Sequence, residues 1–241
     1  MASGQTAVVV RVLSWNIEHG RNIDQAIEEI RSTPELDGTD IVLVQEMHPD
    51  AAERLADGLG MGHHFDAVAD SCVTGLPFGN AVMSRWPLSD FETIPLPGVA
   101  PIKPQPRCAV HATVDVDGTV VSAISAHLET AYMRRSGRST QARAVAQHRM
   151  ANRPVATVVG GDFNSASALA VSATDRVMTG AGLHRATNRA DSTFRRFGLS
   201  FTLDHIYARG ADGSPWSVAA SGVVRTASAS DHQPIWAELQ P

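Results

Sequence analysis

The stretch Val155-Ala156-Thr157-Val158-Val159-Gly160-Gly161-Asp162-Phe163-Asn164 decides how the rest of the chain is read. Taken alone, Gly160-Gly161-Asp162 reads as a turn, because glycine and aspartate are turn residues. The valine-rich run before it and the asparagine after it reverse that reading. They mark a place where a strand leaves a core and delivers polar side chains to a pocket. Three more polar clusters share the pattern. Ser14-Trp15-Asn16-Ile17-Glu18 follows the apolar run Val8 to Leu13, Val44-Gln45-Glu46 closes the run Ile41 to Val44, and Ser230-Asp231-His232 lies near the end of the chain.

Between the clusters, apolar periodicity predicts further elements. Residues 8–15 and 40–45 read as strands, and 22–32 and 49–58 as helices, the second opening on Pro49, where the missing N–H costs little. Strands are expected at 79–84, 107–116, 119–127, 155–161, 203–207, 216–224 and 233–239. Asp117-Gly118 between two alternating runs is a hairpin signal. Ala142, Val145, Ala146 and Met150 fall at helical spacing, so a helix is expected over 139–151. The five prolines from Pro95 to Pro106 exclude a regular element and read as a surface loop near Arg107. Gly58-x-Gly60-x-Gly62 lacks the spacing of a dinucleotide loop and follows a helix, so it reads as a helix terminator and turn. Mixed meanders and helices of this kind predict two packed sheets with helices outside them.

Composition bounds the possibilities. The 241 residues carry chemistry-bearing clusters at both ends, which favours one continuous domain over 1–241. Residues 1–7 form a short polar start without a basic n-region or apolar h-region, and no apolar stretch reaches bilayer-spanning length, so a cytoplasmic location without a transmembrane segment is expected. Cys72 and Cys108 have no metal-type spacing and are expected as free thiols. The net charge of −5 argues against a generic polyanion binder, although a local basic patch remains compatible with a phosphate backbone. Nothing in the sequence calls for an obligate protein partner.

The polar clusters hold the residue types that phosphate ester hydrolysis needs. That reaction demands positive charge on the phosphoryl oxygens, an activated water, and help for the leaving oxygen. Asn16, Glu46 and Asp231 offer the carboxylate and amide oxygens that a hard cation such as Mg²⁺, or Mn²⁺, prefers. Asp162 and Asn164 are two residues apart, so if the strand continues through them both side chains point one way. His127 ends an alternating strand and suits contact with a scissile phosphate; His232 beside Asp231 is a second such imidazole. Arg85 and Arg107, each following an apolar strand, are expected to bracket the phosphate. His19, His48, His63, His64, His111, His148 and His184 are read as structural or exposed. For His205 packing is favoured over catalysis.

These clusters, together with Gly79-Asn80-Ala81-Val82-Met83-Ser84-Arg85, Ser125-Ala126-His127-Leu128-Glu129 and Leu203-Asp204-His205-Ile206, resemble the endonuclease/exonuclease/phosphatase superfamily, in its histidine-containing branch. The resemblance runs from Asn16 to His232. It implies an α/β (α+β) fold, a four-layer α/β/β/α sandwich of two mainly antiparallel sheets flanked by helices. It also implies that Glu46 is the principal metal ligand, Asp162 the general base or water-positioning residue, and Asp204 the partner of His232. Asn80 falls in a piece that lines the substrate cleft of that superfamily and is expected to bind substrate. The activity implied is divalent-metal-dependent hydrolysis by direct attack of water.

Nuclease-like action on DNA or RNA is the first expectation for substrate, and a small or lipid-linked phosphate ester, of phosphoinositide or sphingomyelin type, the second. Arg134, Arg135, Arg138 and Arg143 follow the His127 segment, and Arg195-Arg196 precede Asp204. They read either as a basic rim suited to a nucleic-acid backbone or headgroup, or as solvated faces. A third possibility is an inert scaffold of the same fold, against which the intact set of acids and bases argues. No Gly-x-Ser-x-Gly elbow or His-Glu-x-x-His motif supports a serine hydrolase or a zinc peptidase.

Overall fold

A computed structural model describes residues 9–102, 104–148 and 155–240. In chain order, β1 (Val10–Asn16) leads through a 3-10 turn to α1 (Ile23–Ser32), β2 (Ile41–Met47) and α2 (Pro49–Leu59). Next come β3 (Gly62–Asp70), β4 (Pro77–Ser84), β5 (Leu88–Pro95), β6 (Cys108–Val116), β7 (Thr119–His127) and α3 (Arg135–Gln147). The remainder holds β8 (Ala156–Asp162), α4 (Ala168–Gly180), β9 (His184–Arg185), β10 (Phe194–Arg196), β11 (Leu199–Phe201), β12 (Asp204–Arg209), β13 (Ser217–Val223) and β14 (Ile235–Gln240).

Twelve of the strands form two six-stranded sheets. Their orders are β13-β14-β1-β2-β4-β3 and β5-β6-β7-β8-β12-β9, and β10–β11 is a separate hairpin. Pairing is antiparallel except for β1 with β2 and β7 with β8, so the sheets are mixed and mainly antiparallel. The layers follow from side-chain alternation. In β1 and β2, Val12 and Leu43 point into the space between the sheets, where they meet Val110, Val158 and Ile206. Leu13, Val42 and Val44 point outward onto Ile23, Ile30 and Leu55 of α1 and α2. On the other side Ile124, Val159 and Tyr207 pack on Val145 and Met178 of α3 and α4. Each sheet is therefore buried on both faces, which is the expected α/β/β/α sandwich.

Gly160 and Gly161 are needed where β8 runs through the middle. A Cβ on Gly160 would lie 2.7 Å from Leu43 of the facing sheet, and one on Gly161 would lie 1.8 Å from the Ala126 carbonyl oxygen of β7. Gly60 caps α2 at φ 68, as the terminator reading expected. The Asp117-Gly118 turn joins β6 to β7 with both residues at positive φ. Cys72 is exposed, Cys108 is buried, and both are free thiols.

Several expectations need correction. The first strand was expected from residue 8, which lies outside the described residues, as do residues 149–151 of the expected 139–151 helix, including Met150. That helix starts four residues earlier than expected, at Arg135. The stretch after Pro95, which itself ends β5, carries no strand or helix among the described residues. It is pinned rather than simply lying on the surface: Ala100 N–H donates to Glu129 Oε2 at 3.0 Å, and Leu96, Ala100 and Gln105 are buried. β3, β5, α4 and the β10–β11 hairpin were not anticipated. β3 is a sheet edge whose His63, His64 and Asp66 break the apolar alternation. α4 has ample helix formers, but its buried face includes Thr174 and Asp175, which break the apolar period; its start is set by Ser167, whose hydroxyl accepts from Ala170 N–H at 3.2 Å.

Candidate active site

The C-terminal ends of β1, β2, β7 and β8 and the N-terminal end of β12 meet at one end of the sandwich. In register, Asn16 pairs with Gln45, His127 with Asp162, and Asp162 with Asp204. The two sheets are locked together just beneath this point. Gln45 Nε2 donates to Ser125 Oγ at 2.9 Å, and Ser125 Oγ donates to the Val44 carbonyl at 2.8 Å. Glu46 sits on a bulge in β2, at φ 59, where the β2–β4 register shifts. A bulge re-aims one side chain, and a non-glycine residue held at positive φ costs about 1–3 kcal/mol, so the fold spends stability to turn this carboxylate into the cleft.

Asn16 bridges two of the acids. Its Nδ2 lies 3.1 Å from Glu46 Oε1 and 3.2 Å from Asp162 Oδ2, while its Oδ1 accepts from Glu18 N–H at 3.1 Å. Its nitrogen therefore faces the cleft, and ligation through Oδ1 requires the amide to turn. Asp162 is buried, and burial first, then the charge of Asp204, raises its carboxyl to about 7 against the pull of His232. Asp231 is exposed at the mouth, its carboxyl raised by partial burial and by Glu46 and Asp204, with His232 opposing.

Two buried imidazoles face these acids. His232 Nδ1 hydrogen-bonds Asp204 Oδ2 at 2.8 Å, and its Nε2 lies 3.8 Å from Asp162 Oδ2. Burial alone would lower His232, but the Asp204 carboxylate and hydrogen bond outweigh it and push the ring up to about 10. His127 Nε2 lies 3.8 Å from Glu46 Oε1 and 3.7 Å from Asp162 Oδ2. Burial, then Arg107, His232 and His19, hold His127 well below the usual histidine range, so it is neutral. Arg107 Nη1 is 3.2 Å from the His127 ring nitrogens, and its guanidinium rests over Phe78 at 5.5 Å.

Asp162, Asp204 and His232 offer atoms within 4.8 Å of one another, a spacing compatible with a metal ion. One Asp204 oxygen is already engaged by His232, however, and a ring held in its protonated form carries a proton on both nitrogens and has no lone pair for a metal. The freer oxygen donors are on Glu46, Asp162 and Asp231, with Asn16 Oδ1 in reserve. Clustered carboxylates whose own charges push Asp162 and Asp231 upward make a donor set that fits a hard divalent cation.

Not every expected residue comes to this place. Arg85 does not bracket the phosphate. It lies at the far end of β4, opposite the start of β2, where it pairs with Asp40 at 2.6 Å and stacks on Trp86. Apolar flanks could not distinguish the two ends of a strand that runs antiparallel to β2. Asn80 does not line the cleft: it is buried between the sheets, donating to the Cys108 carbonyl at 2.8 Å and the Ser125 carbonyl at 3.4 Å. The premise that Asp162 and Asn164 share a strand face also fails. β8 ends at Asp162, Asn164 adopts φ 49, and its Nδ2 donates to the Leu128 carbonyl at 2.9 Å. His205 packs on Phe163 and accepts from Arg185, as expected.

Three further residues belong here, His19 against the expectation that it is structural or exposed. His19 Nε2 is 3.6 Å from Glu46 Oε2; only its nearness to Asn16 in sequence hinted at this. Buried Glu129 sits 3.6 Å from Arg107 Nε and accepts from Thr130 N–H at 2.9 Å. Thr193 Oγ1 accepts from Leu203 N–H at 3.0 Å and Asp204 N–H at 3.2 Å, tying the β10–β11 hairpin to the acid behind His232.

Comparison with known proteins agrees with the fold. A model of the Endonuclease/Exonuclease/phosphatase family matches residues 13–232. The chain is 26% identical to the UPF0294 protein YE0917 of Yersinia enterocolitica, across 98% of this chain and 85% of that protein. Its fold is similar to that of D. rerio TDP2 complexed with single strand DNA product, at TM-score 0.74 and 17% identity over 97% and 99% of the two chains. It is likewise similar to the Bacteroides thetaiotaomicron mannosyl-6-phosphatase Bt3783, at TM-score 0.70 and 19% identity over 95% and 99%. Identities this low establish a shared fold and leave the substrate open.

Proposed function

Since the chain belongs to the endonuclease/exonuclease/phosphatase family, we propose that it is a Mg²⁺- or Mn²⁺-dependent phosphodiesterase that hydrolyses its ester by direct attack of water. The observation that carries this reading is the opposition of two unlike imidazoles, neutral His127 backed by Arg107 and cationic His232 backed by Asp204, across the carboxylates of Glu46 and Asp162.

Asp162, with a carboxyl near neutrality, is suited to accept the proton of the attacking water. His232 and Arg107 present fixed positive charge to phosphoryl oxygens in a buried cleft, where such charge acts more strongly than in water. His127 is the neutral hydrogen-bonding group between Arg107 and the acids. Asn164, with Nδ2 on Leu128, keeps its amide oxygen for orienting the water. Glu46 and Asp231, with Asn16 in support, would hold the cation, which supplies charge neutralisation and polarisation of the phosphoryl group.

Hydrolysis of bis(p-nitrophenyl) phosphate with Mg²⁺ or Mn²⁺ against an EDTA control tests the reading without presuming a biological substrate. Asp162→Asn is expected to lower turnover by at least about 10²-fold, and Glu46→Gln to raise the metal concentration needed for half-maximal rate. Metal-independent hydrolysis, or a fully active Asp162→Asn protein, would overturn it. Supercoiled plasmid in the same buffers gauges the nucleic-acid expectation.

A further inference from the structure

Twelve large apolar side chains are exposed among the described residues, and their placement is lopsided. Val73, Leu76, Val99, Ile102 and Tyr132 sit on the loops that join β3 to β4, β5 to β6 and β7 to α3. Those loops leave the sandwich at the end where Glu46 and His127 emerge, because β4 and β6 run antiparallel to β2 and β7. Leu169 in the first turn of α4, with Phe197 and Leu199 on the β10–β11 hairpin, lies across the cleft on the β12 side. The hairpin is held at this end by the Phe194–His232 bridge and by Phe194 packing on the His232 ring at 4.7 Å. Eight of the twelve thus form two banks flanking the catalytic cleft, Phe197 being 90% exposed.

The banks also carry unneutralised positive charge. Arg134 and Arg135 on one side and Arg195 and Arg196 on the other are exposed and form no ion pair among the described residues, although the chain as a whole carries −5. A cavity of about 140 Å³ joins bank to cleft, with Val73 and Tyr132 at its outer wall and Glu46 and Arg107 at its inner one.

We infer that this end of the molecule docks on an anionic lipid surface, the apolar banks entering the headgroup region and the arginines meeting lipid phosphates, so that an ester at the membrane surface is delivered to the cleft between them. The inference deepens the phosphoesterase reading and rests on it for the identity of the cleft. Composition decides between lipid and nucleic acid. A single strand would use the arginines and stack bases on Tyr132 and Phe197, but would leave six aliphatic side chains in water. A lipid surface covers aliphatic and aromatic side chains alike and rewards adjacent arginines.

Sedimentation of the full chain with vesicles of phosphatidylcholine, with and without phosphatidylglycerol, tests this. The wild-type protein is expected to partition onto the phosphatidylglycerol vesicles. Phe197→Ser with Leu199→Ser, and separately Val99→Ser with Ile102→Ser, are each expected to lower the partition coefficient by about tenfold or more. Phe91→Ser, on the β5 edge away from the cleft, serves as control and leaves it unchanged. Wild-type protein that stays in the supernatant, or bank variants that partition like it, would overturn the inference, as would a single-stranded oligonucleotide that binds while vesicles do not. Hydrolysis of bis(p-nitrophenyl) phosphate is expected to be unaltered in the bank variants. Vesicle binding without hydrolysis by the wild type would sink the phosphoesterase reading alone, and hydrolysis without vesicle binding the docking alone.

Discussion

Acid should destabilise this protein through a histidine remote from the candidate active site. His111 lies on β6, its side chain buried, with its ring 4.9 Å from that of His148 at the end of α3. Burial first, and the neighbouring His148 second, push it from 6.5 down to about 4; a backbone contact and the charge of Asp90 oppose this weakly, and His64 adds to it. Between those two values the unfolded chain binds a proton that the folded protein refuses. Folding stability therefore rises with pH across that window and is lost as pH falls through it. The drop from 6.5 to about 4, at about 1.4 kcal/mol per pKa unit, comes to about 3 kcal/mol. His148 faces Glu92 at 3.7 Å and is also lowered by burial, as is His64, so the wild-type profile contains several contributions. His111→Phe keeps a ring in place and removes one of them. Urea unfolding at pH 7 and at pH 4 should show the wild type losing about 3 kcal/mol more than the variant. Equal losses in the two proteins would refute the claim that His111 is held neutral in the fold.

Other consequences are direct. Arg107→Lys should lower kcat on bis(p-nitrophenyl) phosphate by about 10²-fold, because a point charge cannot serve His127, Glu129 and the Phe78 face together; an undiminished rate would show that the planar guanidinium is not required. Asp204→Asn should cost about 10²-fold in kcat by withdrawing the charge behind His232, and should lower the melting temperature at neutral pH, because the buried ring loses the carboxylate that keeps it charged. Mg²⁺ or Mn²⁺ should raise the melting temperature of the wild type and not of Glu46→Gln, the gain at a hundred times Kd being about 2.7 kcal/mol. Gly161→Ala should destabilise by more than about 4 kcal/mol in urea unfolding, since its Cβ would meet the Ala126 carbonyl at 1.8 Å.

What could be read from sequence was whatever repeats along it. Buried strands such as 119–127 announce themselves by apolar runs, and their polar ends are adjacent residues, so Asn16, Glu46, His127 and Asp162 were recognisable. The edge strand β3 was not, because an edge need not be apolar on both faces. Direction was equally hidden. Asn80 lies midway along β4 and Arg85 just past its last residue, and only the antiparallel pairing of β4 with β2 shows that Arg85 leaves the sheet away from the cleft. The direction of Asn164, though not the residue itself, was hidden for a third reason: its left-handed backbone, φ 49, turns the chain where the strand periodicity is extrapolated.

The two imidazoles of the cleft show why residue type alone cannot assign a role. His127 and His232 are both buried, and both reach Asp162 Oδ2, at 3.7 and 3.8 Å. Desolvation works against a charged ring in each. What separates them is the group behind: a guanidinium at His127, which adds to the penalty, and a carboxylate at His232, which overcomes it. The neighbours come from other parts of the chain, Arg107 from the stretch just before β6 and Asp204 from β12, in the sheet opposite that of β14. The cleft therefore holds one neutral donor and one cation on two sides of a single carboxylate, and exchanging the partners would exchange the roles. That polarity also connects chemistry to the rim. Thr193 fixes Asp204 from the base of the β10–β11 hairpin, and Phe194 packs on His232, so a surface that engages Phe197 and Leu199 bears on the element that holds the charged half of the site.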